Sequence, residues 1–176
     1  MNHAGLPLLL TSLWFGSGGA SAQTLQPTPS TGNWIISETT SPVDYTPIVI
    51  ATTRAKATAG PRMELSIYCR AGQTHLVVKG PNISAGADGY DFSYSVNGGS
   101  LTQAGAGTSL FGGIAIPGEV VSLLQTLPGE GEISIRLASR TGTVREGTFL
   151  LDGLKSARGR LAIACNWPPA TAKLRN

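Results

Sequence analysis

The sequence predicts a β-rich fold, mainly antiparallel and sandwich-like, with one or two short helices, in a single domain closed by one disulfide. Three observations predict it. Gly and Pro together make up 34 of 176 residues, and only 13% of residues are charged against 41% hydrophobic, a balance that favours many turns between short strands over long charged helices. Apolar residues recur at period two in several short runs. Cys69 and Cys165 are the only two cysteines, and two cysteines permit a single intramolecular pairing.

The amino terminus reads as an export signal. The apolar run from Leu6 to Phe15 has the length of a signal-peptide core and falls short of the ~20 apolar residues that a membrane-spanning helix needs. Gly16 to Gly19 interrupt it, and Ala20-Ser21-Ala22 supply the small side chains a signal peptidase accommodates, placing a new amino terminus at Gln23. The preceding Met1-Asn2-His3 carries no Lys or Arg, and no cysteine follows the small residues to anchor a lipoprotein. The expected organisation is a signal peptide over residues 1–22, a flexible lead-in over 23–33, a globular domain over 34–168 and a flexible tail over 169–176. Removing residues 1–22 leaves 154 residues, enough for one compact domain. No integral membrane segment is expected after cleavage.

The elements follow in order. Trp34 to Thr39 and Pro47 to Thr53 are rich in β-branched residues and bounded by Pro, Ser and Thr, as strands are. Between them Ser41-Pro42-Val43-Asp44 reads as a turn, Pro fixing φ and Asp bonding nearby amides. Met63 to Arg70 alternates Met63, Leu65, Ile67 and Cys69 with Glu64, Ser66, Tyr68 and Arg70, so Cys69 faces the core. Ala71-Gly72-Gln73 connects it to Thr74 to Lys79 as a hairpin. Tyr90 to Val96 alternates again and meets Asn97-Gly98-Gly99-Ser100, a hairpin turn signal. The return strand from Ser100 to Gln103 is short, and the Gly-rich piece from Ala104 to Gly113 reads as a loop.

Pro117 opens a helix in which Glu119 complements the dipole and Val120, Leu123, Leu124 and Leu127 keep helical spacing, until Pro128-Gly129 stop it. Glu132 to Ala138 is a further strand, with Ile133, Ile135 and Leu137 inward. Thr148 to Leu151 returns beside it after a turn-like stretch from Arg140 to Gly147. From Gly153 to Cys165, Leu154, Ala157, Leu161 and Ala164 keep helical spacing around Gly159, a residue that costs a helix interior up to ~1 kcal/mol relative to Ala.

Charge is unevenly distributed. From Glu38 to Glu132 five basic and eight acidic residues give −3, whereas from Arg136 to Arg175 eight basic and two acidic residues give +6. Such a quarter suits an acidic protein surface, an anionic lipid face or nucleic acid. The arginines lack the interleaved aromatics that base stacking needs, so nucleic acid is not an expected partner.

Taken together, the residues form a pattern. Trp34 is followed by Ser41-Pro42-Val43-Asp44, then Leu65-Ser66-Ile67-Tyr68-Cys69-Arg70, Tyr94-Ser95-Val96-Asn97, and Phe149-Leu150-Leu151-Asp152-Gly153-Leu154 running into Ala164-Cys165-Asn166-Trp167. The chain resembles, over Trp34 to Trp167, the VasI or TagO type of exported protein associated with bacterial type VI secretion. Ser41 stands where that family often has Asp, and Asn97 where Asp is common, as in a divergent branch. The resemblance implies an envelope accessory protein with no established catalytic role.

Reactive groups are sparse. His75 is the one histidine after the leader, with no metal-ligand spacing and no nucleophile motif around it, and it reads as a surface residue of a hairpin. The cysteines are not arranged as C-x-x-C, so they read as a structural bridge, worth roughly 4 to 5 kcal/mol in the chain-entropy model. Trp167 reads as a plug against that bridge, and Gly98-Gly99 and Gly105-Ala106-Gly107 as turns rather than phosphate loops. No cofactor or metal is implied. The arginines Arg136, Arg140, Arg145, Arg158 and Arg160 are the candidate partner-binding residues, since the guanidinium fork matches carboxylates and phosphates. The expected function is that of an exported, periplasmic or secreted, non-enzymatic protein that binds an envelope or secretion-apparatus protein. The alternative is a small exported hydrolase or enzyme inhibitor without a recognisable motif.

Overall fold

The computed structural model describes residues 32–56, 62–83, 89–116 and 118–169. The expected signal peptide, the lead-in up to residue 31 and residues 170–176 of the expected tail lie outside the described residues. Along the described chain the elements are β1 (Ile35–Thr40), β2 (Pro47–Arg54), β3 (Glu64–Arg70), β4 (Gln73–Lys79), β5 (Tyr90–Val96), β6 (Thr102–Ala104), β7 (Gly107–Thr108), β8 (Ile114–Ile116), α1 (Val120–Thr126), β9 (Glu132–Ser139), β10 (Val144–Leu150) and α2 (Leu154–Ala164). They form a six-stranded sheet in the order β1-β2-β3-β4-β8-β7 and a four-stranded sheet in the order β10-β9-β5-β6. All neighbours in both sheets are antiparallel.

Turn chemistry sets the two tight hairpins. Ala71 and Gly72 take φ of 49° and 73°, and Asn97 and Gly98 take 51° and 69°, the paired positive values that match the right-handed twist of flanking strands. Asn97 also ties β5 to β9, its Oδ1 accepting the Glu132 amide at 2.8 Å. Gly131 makes this approach feasible: at φ 99° a Cβ there would lie 2.1 Å from the Asn97 Oδ1.

Period two then decides the core. Leu65, Ile67 and Cys69 of β3 and Leu76 and Val78 of β4 face Ile133, Ile135 and Leu137 of β9, Phe92 of β5 and Phe149 of β10 in one buried cluster. α2 packs on β2 and β3, burying Leu154, Ala157 and Leu161. Its Gly159 lies on the exposed face with no neighbouring atoms, and the burial of Leu154, Ala157 and Leu161 outweighs its low helix propensity. α1 rests near β4 and buries Val120 and Leu124. Trp34 is 1% exposed and donates its indole N–H to the Leu150 carbonyl at 3.1 Å, joining the start of β1 to the end of β10.

Four expectations are revised. β10 begins at Val144, four residues before Thr148, because Ser139 closes a tighter turn: its amide bonds the Thr143 carbonyl at 2.8 Å and its hydroxyl accepts the Thr143 amide at 3.0 Å. The stretch from Ala104 to Gly113 is not wholly loop, since it holds the end of β6 and all of β7, and Ile114–Ile116 forms β8 against β4. Glu119 lies before α1 rather than in its first turn and makes no side-chain cap, while Pro117 falls outside the described residues. Ser66 and Tyr68 do alternate away from the core, yet both are buried: Phe111 stacks on Tyr68 with ring centroids 4.3 Å apart, and the Ser66 hydroxyl is hydrogen-bonded with Thr52 and Glu64.

Candidate interaction site

The Cys69–Cys165 bridge fastens the end of the carboxy-terminal helix to β3. Cys69 lies on the core face of β3 and is fully buried, and Cys165 caps α2. The two are joined in a disulfide across a sequence separation of 96, with their Cα atoms 5.7 Å apart, a distance within the normal bridging range. No other cysteine is left free. Trp167 sits beside the bridge, half-buried, and donates its indole N–H to the Thr74 hydroxyl at 2.7 Å. Thr74 is the register partner of Cys69, so the tryptophan closes the end of the sheet where the bridge enters.

The five arginines do not gather on one face. Arg158 turns under α1 and donates to the carbonyls of Leu124 at 2.8 Å and Leu127 at 2.7 Å, with a longer contact to Gln125. These are carbonyls at the end of α1, which has no basic residue of its own in its last turn, so the guanidinium serves as a cap supplied by another helix. Burial lowers its pKa from the usual guanidinium value. Arg160 pairs with Glu38 at 2.8 Å, tying α2 to β1. Arg136 pairs with Glu146 across β9 and β10 at 3.2 Å. Arg145 opposes Leu137, an inward residue, and its Nε is buried without a hydrogen-bond partner. Arg136 and Arg145 therefore lie on opposite faces of the same hairpin. Arg140 is exposed near its tip, its side chain lying over Gly89.

His75 occupies the outer face of the six-stranded sheet. Its ring is 5.4 Å from that of Phe111, and Lys79 contacts the Tyr68 hydroxyl nearby. Among the described residues no hydrogen bond joins His75 to a carboxylate, and no cluster of three His, Cys, Asp or Glu could hold a metal ion. An open groove of about 550 Å³ lies at the start of α2, lined by Glu130, Asp152, Lys155 and Ser156 together with Gly129 and Gly153. No described helix is long and apolar enough to cross a membrane.

The turn between β1 and β2 presents the opposite arrangement to the arginines, with its apolar side chains outward. Ser41 is 3% exposed; its amide bonds the Thr46 carbonyl at 2.9 Å, its carbonyl accepts the Tyr45 amide at 3.0 Å, and its hydroxyl lies 3.4 Å from the Val43 amide. Asp44 accepts the Thr46 amide at 3.2 Å and the Thr46 hydroxyl at 2.9 Å, both on Oδ1. Bonds from the Ser41 and Thr46 hydroxyls and the Thr46 amide hold the Asp44 carboxyl below the usual carboxylate value. Val43 and Tyr45 are 86% and 80% exposed, and Tyr45 takes φ 56°. The turn is legible in Ser41-Pro42-Val43-Asp44; the display of Tyr45 is not, because nothing in the spacing marks a tyrosine for left-handed backbone. No family model, curated protein or solved structure matches the chain.

Proposed function

We propose that the protein is an exported, non-enzymatic accessory protein that acts by binding another protein of the cell envelope, in a role associated with type VI secretion. The observation that carries this reading is the Cys69–Cys165 bridge through the core. Bonds of this kind persist in oxidising compartments and are rare in a reducing cytosol, in keeping with the Ala20-Ser21-Ala22 leader. The order of motifs from Trp34 to Trp167 supports the association with type VI secretion.

Fractionation of the native cell tests it. The expected result is a soluble envelope or extracellular protein that begins at Gln23, shows no free thiol when denatured without reductant, and retains a specific partner on affinity purification from the envelope. A cytosolic chain with Met1 intact and two free thiols would overturn it. With the partner in hand, Arg136→Ser combined with Arg140→Ser tests the role of the exposed basic side chains: slower association with a flatter salt dependence is expected if they steer an acidic partner.

A further inference from the structure

We infer that the Ser41–Thr46 turn is a docking element that inserts Val43 and Tyr45 into an apolar pocket on a partner protein whose rim carries Lys or Arg. This deepens the binding reading above and rests on it. Three observations converge. Val43 and Tyr45 are 86% and 80% exposed, two large apolar side chains held two residues apart on one turn. A left-handed backbone is disfavoured for any residue with a Cβ, and more for a bulky side chain than for the small Ala71 that takes it in the β3–β4 connector; in the β1–β2 turn a tyrosine holds it at φ 56°. Backbone strain kept at an exposed aromatic residue points to a use for that side chain. The turn is also pre-organised, since Ser41 and Asp44 satisfy its amides internally, and a rigid turn loses little entropy on binding. Tyrosine is among the side chains that most often dominate an interface.

Charge selects the partner. Asp44 stands between the two apolar residues, fully exposed, with both Thr46 bonds on Oδ1. Its carboxylate retains acceptor capacity toward solvent. A carboxylate at the tip is repelled by anionic headgroups and attracted by a basic rim, which favours a protein pocket over a lipid surface.

Photo-crosslinking in the native cell tests the inference, using Val43→p-benzoylphenylalanine in the full chain, with Leu101 and Arg140 as parallel positions. The expected result is a discrete protein adduct at position 43 whose mapped peptide has Lys or Arg beside apolar residues. Its yield should fall about tenfold with Tyr45→Gly and about threefold with Asp44→Asn, which keeps the turn's hydrogen bonds and removes the charge. Unchanged melting of both variants, read by circular dichroism, separates lost docking from lost folding. An adduct only with lipid, only with a second copy of this chain, with an acidic peptide, or insensitive to both variants overturns the inference. A protein adduct at Leu101 or Arg140 alone would overturn it while leaving the binding reading standing. No protein adduct at any of the three positions would sink both.

Discussion

The carboxy-terminal closure and the β1–β2 turn use polar and covalent links to opposite ends. At the closure, Cys165, Arg158 and Arg160 reach back to β3, the end of α1 and β1; the first two links are drawn inward, and the third fastens α2 to β1 at the surface. In the turn, Ser41 and Asp44 bond only within the turn itself, and the result is that Val43 and Tyr45 stand outward. Two of the carboxy-terminal arginines, Arg158 and Arg160, thus brace the scaffold, while a short turn with one acid marks the display. Charge density alone does not locate an interface, because a guanidinium with five donors is as suited to capping a helix as to greeting a partner.

The contrast can be broken at several points. The largest effect is expected at the bridge: Cys69→Ser should lower stability by about 4 kcal/mol, read as a lower denaturant midpoint, with faster proteolysis in the cell. A loss of under about 1 kcal/mol would mean that the closure is held by packing instead. Next, Arg158→Ala should cost about 2 kcal/mol, since it leaves carbonyls at the end of α1 without their charged donor. Arg158→Lys should recover little of it, because an ammonium cannot span several carbonyls as the fork does. Amide exchange in α1 is the sensitive measurement, and a stable Arg158→Ala variant that loses its partner would place Arg158 in the interface after all.

At the turn the signs invert. Tyr45→Gly should hold or raise stability by about 0.5 kcal/mol, relief of the left-handed backbone outweighing the added freedom of the unfolded chain; a marked loss would show that Tyr45 packs rather than projects. The smallest effect is on pH. The folded Asp44 carboxyl titrates below its unfolded value near 3.8, so its contribution to the turn is fully present above that value and is lost as pH falls through the lower folded value. The Asp44 carboxyl signal by NMR should titrate low, and exchange of the Thr46 amide should accelerate only over that acid range. In Asp44→Asn the step should vanish.

Most of the fold was legible because its strands carry the alternation that burial demands. Ile133, Ile135 and Leu137 fall on the apolar side of the β9 alternation and are buried, and Asn97-Gly98 turns where its φ preferences dictate. The lapses have local causes. β8 spans three residues, Ile114–Ile116, too few for a period to register, and its place is set by pairing with β4 rather than by its own sequence. Tyr68 lies on the polar side of an alternating strand and is covered by Phe111, which returns from a distant loop, and by Lys79. Arg158 looks like any exposed helical arginine until α1 is seen beneath it. The docking turn was half legible: Ser41, Pro42 and Asp44 announce a turn, but the direction of Tyr45 follows from three-dimensional bonding.

The way the chain divides itself between the two sheets bears on how it reaches this state. It lays down β1 to β4 in the six-stranded sheet, crosses to the other for β5 and β6, returns for β7 and β8, and crosses again for β9 and β10. β9 lies between β5 and β10, so until residues 132–139 arrive β5 has only the three-residue partner β6, a ribbon too small to persist alone. A nascent or clipped chain ending at Leu127 would carry a nearly complete six-stranded sheet beside an unsatisfied strand edge, the kind that recruits other chains. The interleaving makes assembly depend on contacts distant in sequence, a class that reaches the native state in milliseconds to seconds, and it ties completion of the four-stranded sheet to the last third of the chain.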